Sequence, residues 1–282
     1  MPADSFSREG QVPGVTAVMQ GSSVVVAIGG LPIRLRCDDP DFLRSIEERY
    51  AGYVSSSQTA RFDFEIELAP AGTLSRDEDV RVTWDSGRWL MERGDFRAEW
   101  NPSTARGRIQ QTLNPYSLDS VLRIVHTLLL AREGGFLLHA SSAIRNGRAF
   151  LFSGVSGAGK TTMARLAPPD AALLTDEISY VTRQEGRYAA VGTPFFGELA
   201  RAGENLQAPI EALYLLAKGP ENKIEPITGT DAVCGLLGNI LFFARDPEFV
   251  NLVFNTACDF AARIPVRRLT FAPDTSVWEL IA

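Results

Sequence analysis

The segment from Ala149 to Met163 reads AFLFSGVSGAGKTTM, and within it GVSGAGKT satisfies G-x-x-x-x-G-K-[ST] at every fixed position. These residue types at this spacing suit a phosphate chain. Glycines at 154, 157 and 159 let successive backbone N–H groups approach phosphate oxygens with no Cβ in the way. The N–H groups opening the following helix add to the same positive nest. Lys160 places a compact ammonium where it can reach β- and γ-phosphates, and the Thr161 hydroxyl is a hard oxygen ligand for Mg²⁺. The chain has only three lysines, Lys160, Lys218 and Lys223, and otherwise uses arginine. The apolar run Phe150-Leu151-Phe152 before the loop and the helix-compatible run after it supply the strand–loop–helix context that the pattern requires. The expected ligand is a nucleoside triphosphate with Mg²⁺.

Two further segments carry groups able to act on such a ligand. Ala171–Val181 reads AALLTDEISYV, an apolar strand running into Asp176 and Glu177. A carboxylate at a strand end beside a phosphate loop is placed to bind Mg²⁺ or to receive a proton. Strand alternation sends Asp176 and Glu177 to opposite faces, so both serve one site only if the strand ends or twists there. Upstream, His139 interrupts the apolar run LLHASS. A histidine there is either a packed, hydrogen-bonded residue or a functional one. Arg201, Arg245, Arg267 and Arg268 are further cations, and the sequence selects none of them for catalysis.

These segments need a scaffold. The spacing predicts short strands over 23–28, 31–37, 61–68, 80–84, 88–92 and 96–100, with a helix over 42–53 opened by the Asp38–Asp41 cluster. A helix is expected over 117–132, with Ser117 as its N-cap and Gly134-Gly135 as its stop. Strands over 136–144, 149–153 and 171–175 then alternate with a helix over about 160–166. The reading is an α/β protein in two parts: a small strand-rich N-terminal domain, 1–105, without a chemical motif, and a nucleotide-binding domain, 106–282. Residues 1–13 are expected to be loosely attached.

Composition excludes several classes. The net charge of −6 and pI near 5.1 argue against nucleic acid as a partner. Cys37, Cys234 and Cys258 are odd in number and far apart, which fits neither a disulfide framework nor a zinc site. The opening MPADSFSREG has no apolar core segment, and no apolar run is long enough to span a bilayer. No membrane association and a cytoplasmic location are expected.

The order LLHASS, RNGRAFLFSGVSGAGKTT, LLTDEISYV resembles the catalytic domain of HPr kinase/phosphorylase and its relatives. A weaker likeness runs through GTPFFGEL to the ending IPVRRLTFAPDTSVWEL, which resembles HPr-kinase-related proteins that include lasso-peptide precursor kinases. The resemblance implies a P-loop fold shared with ATP-type phosphoenolpyruvate carboxykinases. It also implies ATP and Mg²⁺ as cofactors, γ-phosphoryl transfer to a serine hydroxyl of a peptide or protein, and a homo-oligomer. By the same resemblance Gly154, Val155, Ser156, Gly157, Ala158, Gly159, Lys160, Thr161 and Thr162 bind the nucleotide. Asp176 takes the hydroxyl proton, Lys160 and His139 stand by the phosphates, and Thr161 and Glu177 serve the metal. Two departures stand out: Glu177 replaces an aspartate, and GTPFFGEL replaces the Glu-x-Arg-Gly segment of true HPr kinases. Two other functions fit the same residues: a non-catalytic ATP-binding module of a peptide-modification system, and a small-molecule phosphotransferase.

Overall fold

The computed structural model describes residues 22–57, 59–70 and 79–281; the expectation for residues 1–13 lies outside the described residues. The fold is mixed α/β, built on two sheets.

The first sheet has seven strands: β1 (Ser23–Ile28), β2 (Leu31–Cys37), β3 (Phe62–Leu68), β4 (Arg81–Asp85), β5 (Arg88–Arg93), β6 (Phe96–Asn101) and β7 (Arg106–Gln111). Their order is β1-β2-β3-β7-β6-β5-β4. Alternation sets the faces. In β2, Leu31, Ile33, Leu35 and Cys37 are buried while the residues between them are not, and in β3 Phe62, Phe64 and Ile66 do the same. Helix α1 (Pro40–Arg49) joins β2 to β3, with Asp39 accepting hydrogen bonds from the Asp41 and Phe42 N–H groups at its start. A separate 3₁₀ turn over Ala51–Tyr53 completes the segment expected as one helix.

Helix α2 (Pro115–Glu133) follows, and thirteen of its nineteen residues are buried. One continuous core runs from the first sheet (Ile33, Phe64, Met91) through α2 (Leu118, Leu122, Val125) to Leu137, Tyr180 and Phe195 beyond it. The helix is therefore packed on both sides, which is why it is apolar nearly all round. Its N-cap is Asn114, whose side chain accepts from Tyr116 N–H at 3.2 Å, with Pro115 in the first turn. This corrects the expectation for Ser117, whose hydroxyl donates instead to buried Asp95 at 2.7 Å. The stop at Gly134 is as expected, in the left-handed region.

The second sheet holds β8 (Phe136–Arg145), β9 (Arg148–Ser153), β10 (Ala172–Thr175), β11 (Ile178–Gln184), β12 (Arg187–Val191), β13 (Gln207–Lys218), β14 (Lys223–Pro226), β15 (Ile240–Leu241) and β16 (Val266–Phe271). The main path is β10-β8-β11-β12-β13-β16-β14, with β9 between β8 and β13 and β15 on β8. The helices here are α3 (Lys160–Arg165), α4 (Gly229–Leu237), α5 (Pro247–Arg263) and α6 (Val277–Ile281). No described helix is long and apolar enough to cross a membrane.

The division between the sheets falls after Gln111. β7 lies between β3 and β6 in the first sheet, although residues 106–111 fall on the far side of the boundary expected at 105.

Candidate functional site

The site is organised around β8. On one edge β8 pairs with β9, which leads into the glycine-rich loop; on the other it pairs with β10 and then β11, which run end to end. Phe150, Leu151 and Phe152 bury β9 between β8 and β13. The loop that leaves it, Gly154–Gly159, adopts a conformation that glycine permits. Gly157 has φ +76° and open space above it, and Gly159 has φ +112° with the Phe271 ring 2.6 Å from where a Cβ would lie. Among the backbone N–H groups of Val155–Gly159, only that of Ala158 is bonded within the described residues, to Val155 O at 3.0 Å. Helix α3 has six residues and no side-chain cap, so the loop amides rather than a helix dipole provide the positive surface.

Lys160 is buried, and its ammonium donates to the carbonyls of Gly154 at 3.0 Å and Val155 at 3.3 Å. Burial pushes its pKa down, and the charges of Glu177 and Glu198 push it back up. The Ser141 hydroxyl, on β8, donates to Lys160 O at 2.9 Å and fixes the start of α3. Thr161 and Thr162 are half-buried beside it, and Val155 and Ser156 are exposed on the loop.

The acidic pair sits where the second edge strand kinks. β10 stops at Thr175, whose Oγ1 accepts the N–H groups of Glu177 and Ile178, both at 3.1 Å, and donates to Phe195 O at 3.1 Å. That local capture turns the backbone at Asp176-Glu177. Strand alternation therefore does not extend to the pair, and both carboxylates lie under one residue. A Cβ on Gly197 would stand 2.7 Å from Glu177 Oε2 and 3.3 Å from Asp176 Oδ2. Asp176 is only 1% exposed, with Oδ1 accepting from Gly197 N–H and Oδ2 from Leu199 N–H, each at 2.9 Å. Glu177 is one-third exposed and faces His139 Nε2, itself one-third exposed, at 3.4 Å. The hydrogen bond from His139 holds the Glu177 carboxyl below its usual range against the opposing effect of burial; His139, Arg123 and Lys160 add through-space attraction.

The structure thus gathers Lys160, Asp176, Glu177 and His139 around β8, while Arg201, Arg245, Arg267 and Arg268 all lie exposed. The sequence reading missed the groups that hold the 192–199 segment in place. Thr193 ties it to the kinked strand through Ile178 O at 2.8 Å and Leu174 O at 3.1 Å. Arg49 of α1 stacks 4.7 Å from the Phe196 ring while bound by Asp119 of α2, which also accepts from Tyr50. Arg123 of α2 stacks 5.0 Å from the Phe195 ring. A charge inside the apolar run Leu122-Arg123-Ile124 is the signal that could have marked it.

Among the described residues no group of three His, Cys, Asp or Glu side chains converges as a metal cage. Mg²⁺ held largely by phosphates and water takes only one or two protein oxygens, a demand that the Thr161 hydroxyl and Glu177 carboxylate fit. A concavity of about 990 Å³ lies elsewhere, on the first sheet. Arg36, Asp38, Asp41, Glu65, Glu67, Arg106 and Arg108 are among its lining residues. It contains none of the groups around β8.

The family model described as "SynChlorMet cassette protein ScmC" matches residues 107–282, and the chain belongs to that family. Among solved structures, the HPr(Ser) kinase/phosphatase from Coxiella burnetii is similar at 14% identity and a TM-score of 0.28, over 51% of this chain and 85% of that one. So loose a superposition carries no argument about this chain. No curated protein sequence matches it.

Proposed function

We propose that this chain is an ATP-dependent kinase that transfers the γ-phosphoryl group to a hydroxyl, serine foremost, of a peptide or protein. The observation that carries the reading is that the G-x-x-x-x-G-K-T loop and the acidic pair flank the same strand, β8, with the charges of Lys160 and Glu177 within reach of each other. The motif resemblance to HPr kinases supports the same reading. The loop amides of 154–159 would cradle the phosphates. Lys160 would turn from the Gly154 and Val155 carbonyls to the β- and γ-phosphates, with Thr162 beside it. Thr161 and Glu177 are the protein oxygens that would hold Mg²⁺, whose contribution is to neutralise phosphate charge. The α/β part is on this reading a P-loop domain, and the first sheet recognises the acceptor or a partner protein. The groove on that sheet, lined by charges of both signs, suits an extended polar chain.

The two carboxylates admit two assignments. A lowered Glu177 pKa suits a metal-side role, leaving Asp176 as proton acceptor. Exposure favours the reverse, because both Asp176 oxygens already hold backbone N–H groups and only Glu177 is open to a ligand. The enclosure of Asp176 also favours a second function, a nucleotide-binding module without catalysis. Acceptor-dependent ADP release separates a kinase from such a module.

The direct test is thermal melting with ATP and Mg²⁺. At 100 times the dissociation constant the ligand adds about 2.7 kcal/mol, or roughly 5–10 °C at this chain length. Lys160→Ala should abolish most of that rise. No shift of the wild type with any nucleotide overturns the reading.

A further inference from the structure

One cation near the acidic pair spends none of its hydrogen-bond donors. Arg123 extends from α2 and is half-buried. Its Nε is sealed from solvent without a partner, and its guanidinium makes no hydrogen bond or ion pair within the described residues. Its one close contact of a specific kind is the face of Phe195. The contrast with Arg49, from the neighbouring helix, is direct. Arg49 is equally drawn into the interior but is held by both oxygens of Asp119. Asp119 also lies one turn before Arg123, yet its oxygens are taken by Arg49 and Tyr50. What remains to Arg123 is the through-space attraction of Asp119 and Glu177, set against the penalty of burial.

A guanidinium stays charged at any pH a protein survives. A half-buried guanidinium whose Nε–H is sealed without a partner costs the folded chain stability, so such a group is retained where something else gives it value. The five donors form a planar fork matched to the oxygens of a carboxylate or phosphoryl group. Glu177 marks the place, since its carboxylate feels Lys160 and Arg123 together. Geometry gives the same location: Phe195, whose ring Arg123 covers, has its carbonyl bonded by the Thr175 hydroxyl that also holds the Glu177 N–H.

We propose that Arg123 binds the oxygens of the phosphoryl group as that group passes from nucleotide to acceptor. This rests on the kinase reading given above. In that step the bond between the γ-phosphorus and the ADP oxygen breaks, and ADP keeps the electron pair. A bond forms from the acceptor hydroxyl oxygen to the same phosphorus, and the hydroxyl proton goes to a carboxylate of the acidic pair. Arg123 gives and takes no atom. It binds the equatorial oxygens while their charge is spread, the point at which a fixed cation acts most strongly.

The test compares wild type with Arg123→Met, Arg123→Gln and Arg123→Lys. Three quantities are read: melting temperature without ligand, affinity for ATP–Mg²⁺, and affinity for ADP–Mg²⁺ with aluminium fluoride, a stand-in for the phosphoryl group in transfer. Arg123→Met should melt at or above the wild-type temperature, because it removes a half-buried charge that no hydrogen bond or ion pair holds among the described residues. ATP–Mg²⁺ affinity should change by less than about two-fold, and affinity for the aluminium fluoride complex should fall by at least about ten-fold in the Met and Gln variants. Lysine, which keeps the charge without the fork, should fall between. Equal loss of both affinities, or none, overturns the proposal, as does a lowered melting temperature in Arg123→Met, which marks a structural arginine. Should the wild type bind no ATP, the kinase reading fails and this inference with it; should the wild type bind ATP and the variants match it throughout, only this inference fails.

Discussion

The two sheets solve different problems with the same alphabet. The first is made mostly of short adjacent strands whose buried and exposed positions alternate, and its charges are spent on one another across neighbouring strands. Asp63 binds Arg34 and Arg36, Arg88 reaches Glu99, and Arg108 reaches Glu65. The second also pairs charges, as in Arg148 with Glu211, but it brings distant segments to one strand and around β8 ties charges to backbone. Asp176 holds the amides of residues twenty-one and twenty-three positions away, and Lys160 holds its own loop. In the first sheet side chain answers side chain; around β8 the same kinds of charge are answered by backbone.

That contrast can be broken most decisively at the acidic pair. Glu177→Gln and Asp176→Asn should each lower phosphoryl transfer by at least about 10²-fold, the low end for a lost acid–base group. Asp176→Asn should also loosen the 197–199 backbone, because its amide nitrogen must face an N–H donor, at about 1–3 kcal/mol. Activity titrated against Mg²⁺ assigns the roles: a defect that high Mg²⁺ relieves belongs to the metal side. If neither change affects turnover, the kinked strand is not catalytic and the difference between the sheets is one of shape alone.

The next effect concerns the junction. Asp119→Ala leaves Arg49 buried without its counter-charge and should cost about 3–5 kcal/mol by denaturant melting. Arg88→Gln, which breaks the exposed pair with Glu99, should cost less than about 1 kcal/mol. Similar losses for the two would mean that the buried network carries no special weight.

A dependence on pH gives a further effect, small near neutrality and growing as pH falls. His126 of α2 is fully buried against Tyr180 with neither nitrogen bonded, and burial lowers its pKa from 6.5 to about 3. The unfolded chain takes up a proton near pH 6.5 while the folded one refuses it until about pH 3. Stability therefore falls as pH drops through that window, and the loss is complete only below the folded value. His126→Phe should flatten this part of the pH profile and raise the melting temperature near neutrality, at roughly 2–4 °C per kcal/mol. An unchanged slope between pH 6.5 and 4 would show that other groups dominate.

Much of this was legible in the chain, and for a consistent reason. Alternation in β2 and β3, the fixed positions of the glycine-rich loop and Gly134 are local signals, each complete within a few residues. The kink at Asp176 was readable only as a condition, since its cause is a side chain, Thr175, bonding backbone on both sides. Arg49, Arg123 and the bonds that hold the 192–199 segment were missed because their partners lie across the fold: Arg49 meets Asp119 seventy residues later. Helix α5 had a visible start in Asp246-Pro247, where Asp246 caps Glu248 and Phe249, and was overlooked for want of a chemical motif nearby.

The double-sided burial of α2 bears on how the chain comes into being. Synthesis delivers the seven strands of the first sheet before the helix that covers their apolar face, and the strands that cover the helix in turn come later still. Until Phe136 and the residues after it have emerged, Leu118, Leu122 and Val125 can shield the early strands only by leaving their own far side wet. A nascent chain of this kind passes through an obligatory stage with a greasy, unfinished seam, so slow elongation after residue 133 is where aggregation or capture by a chaperone will compete with folding.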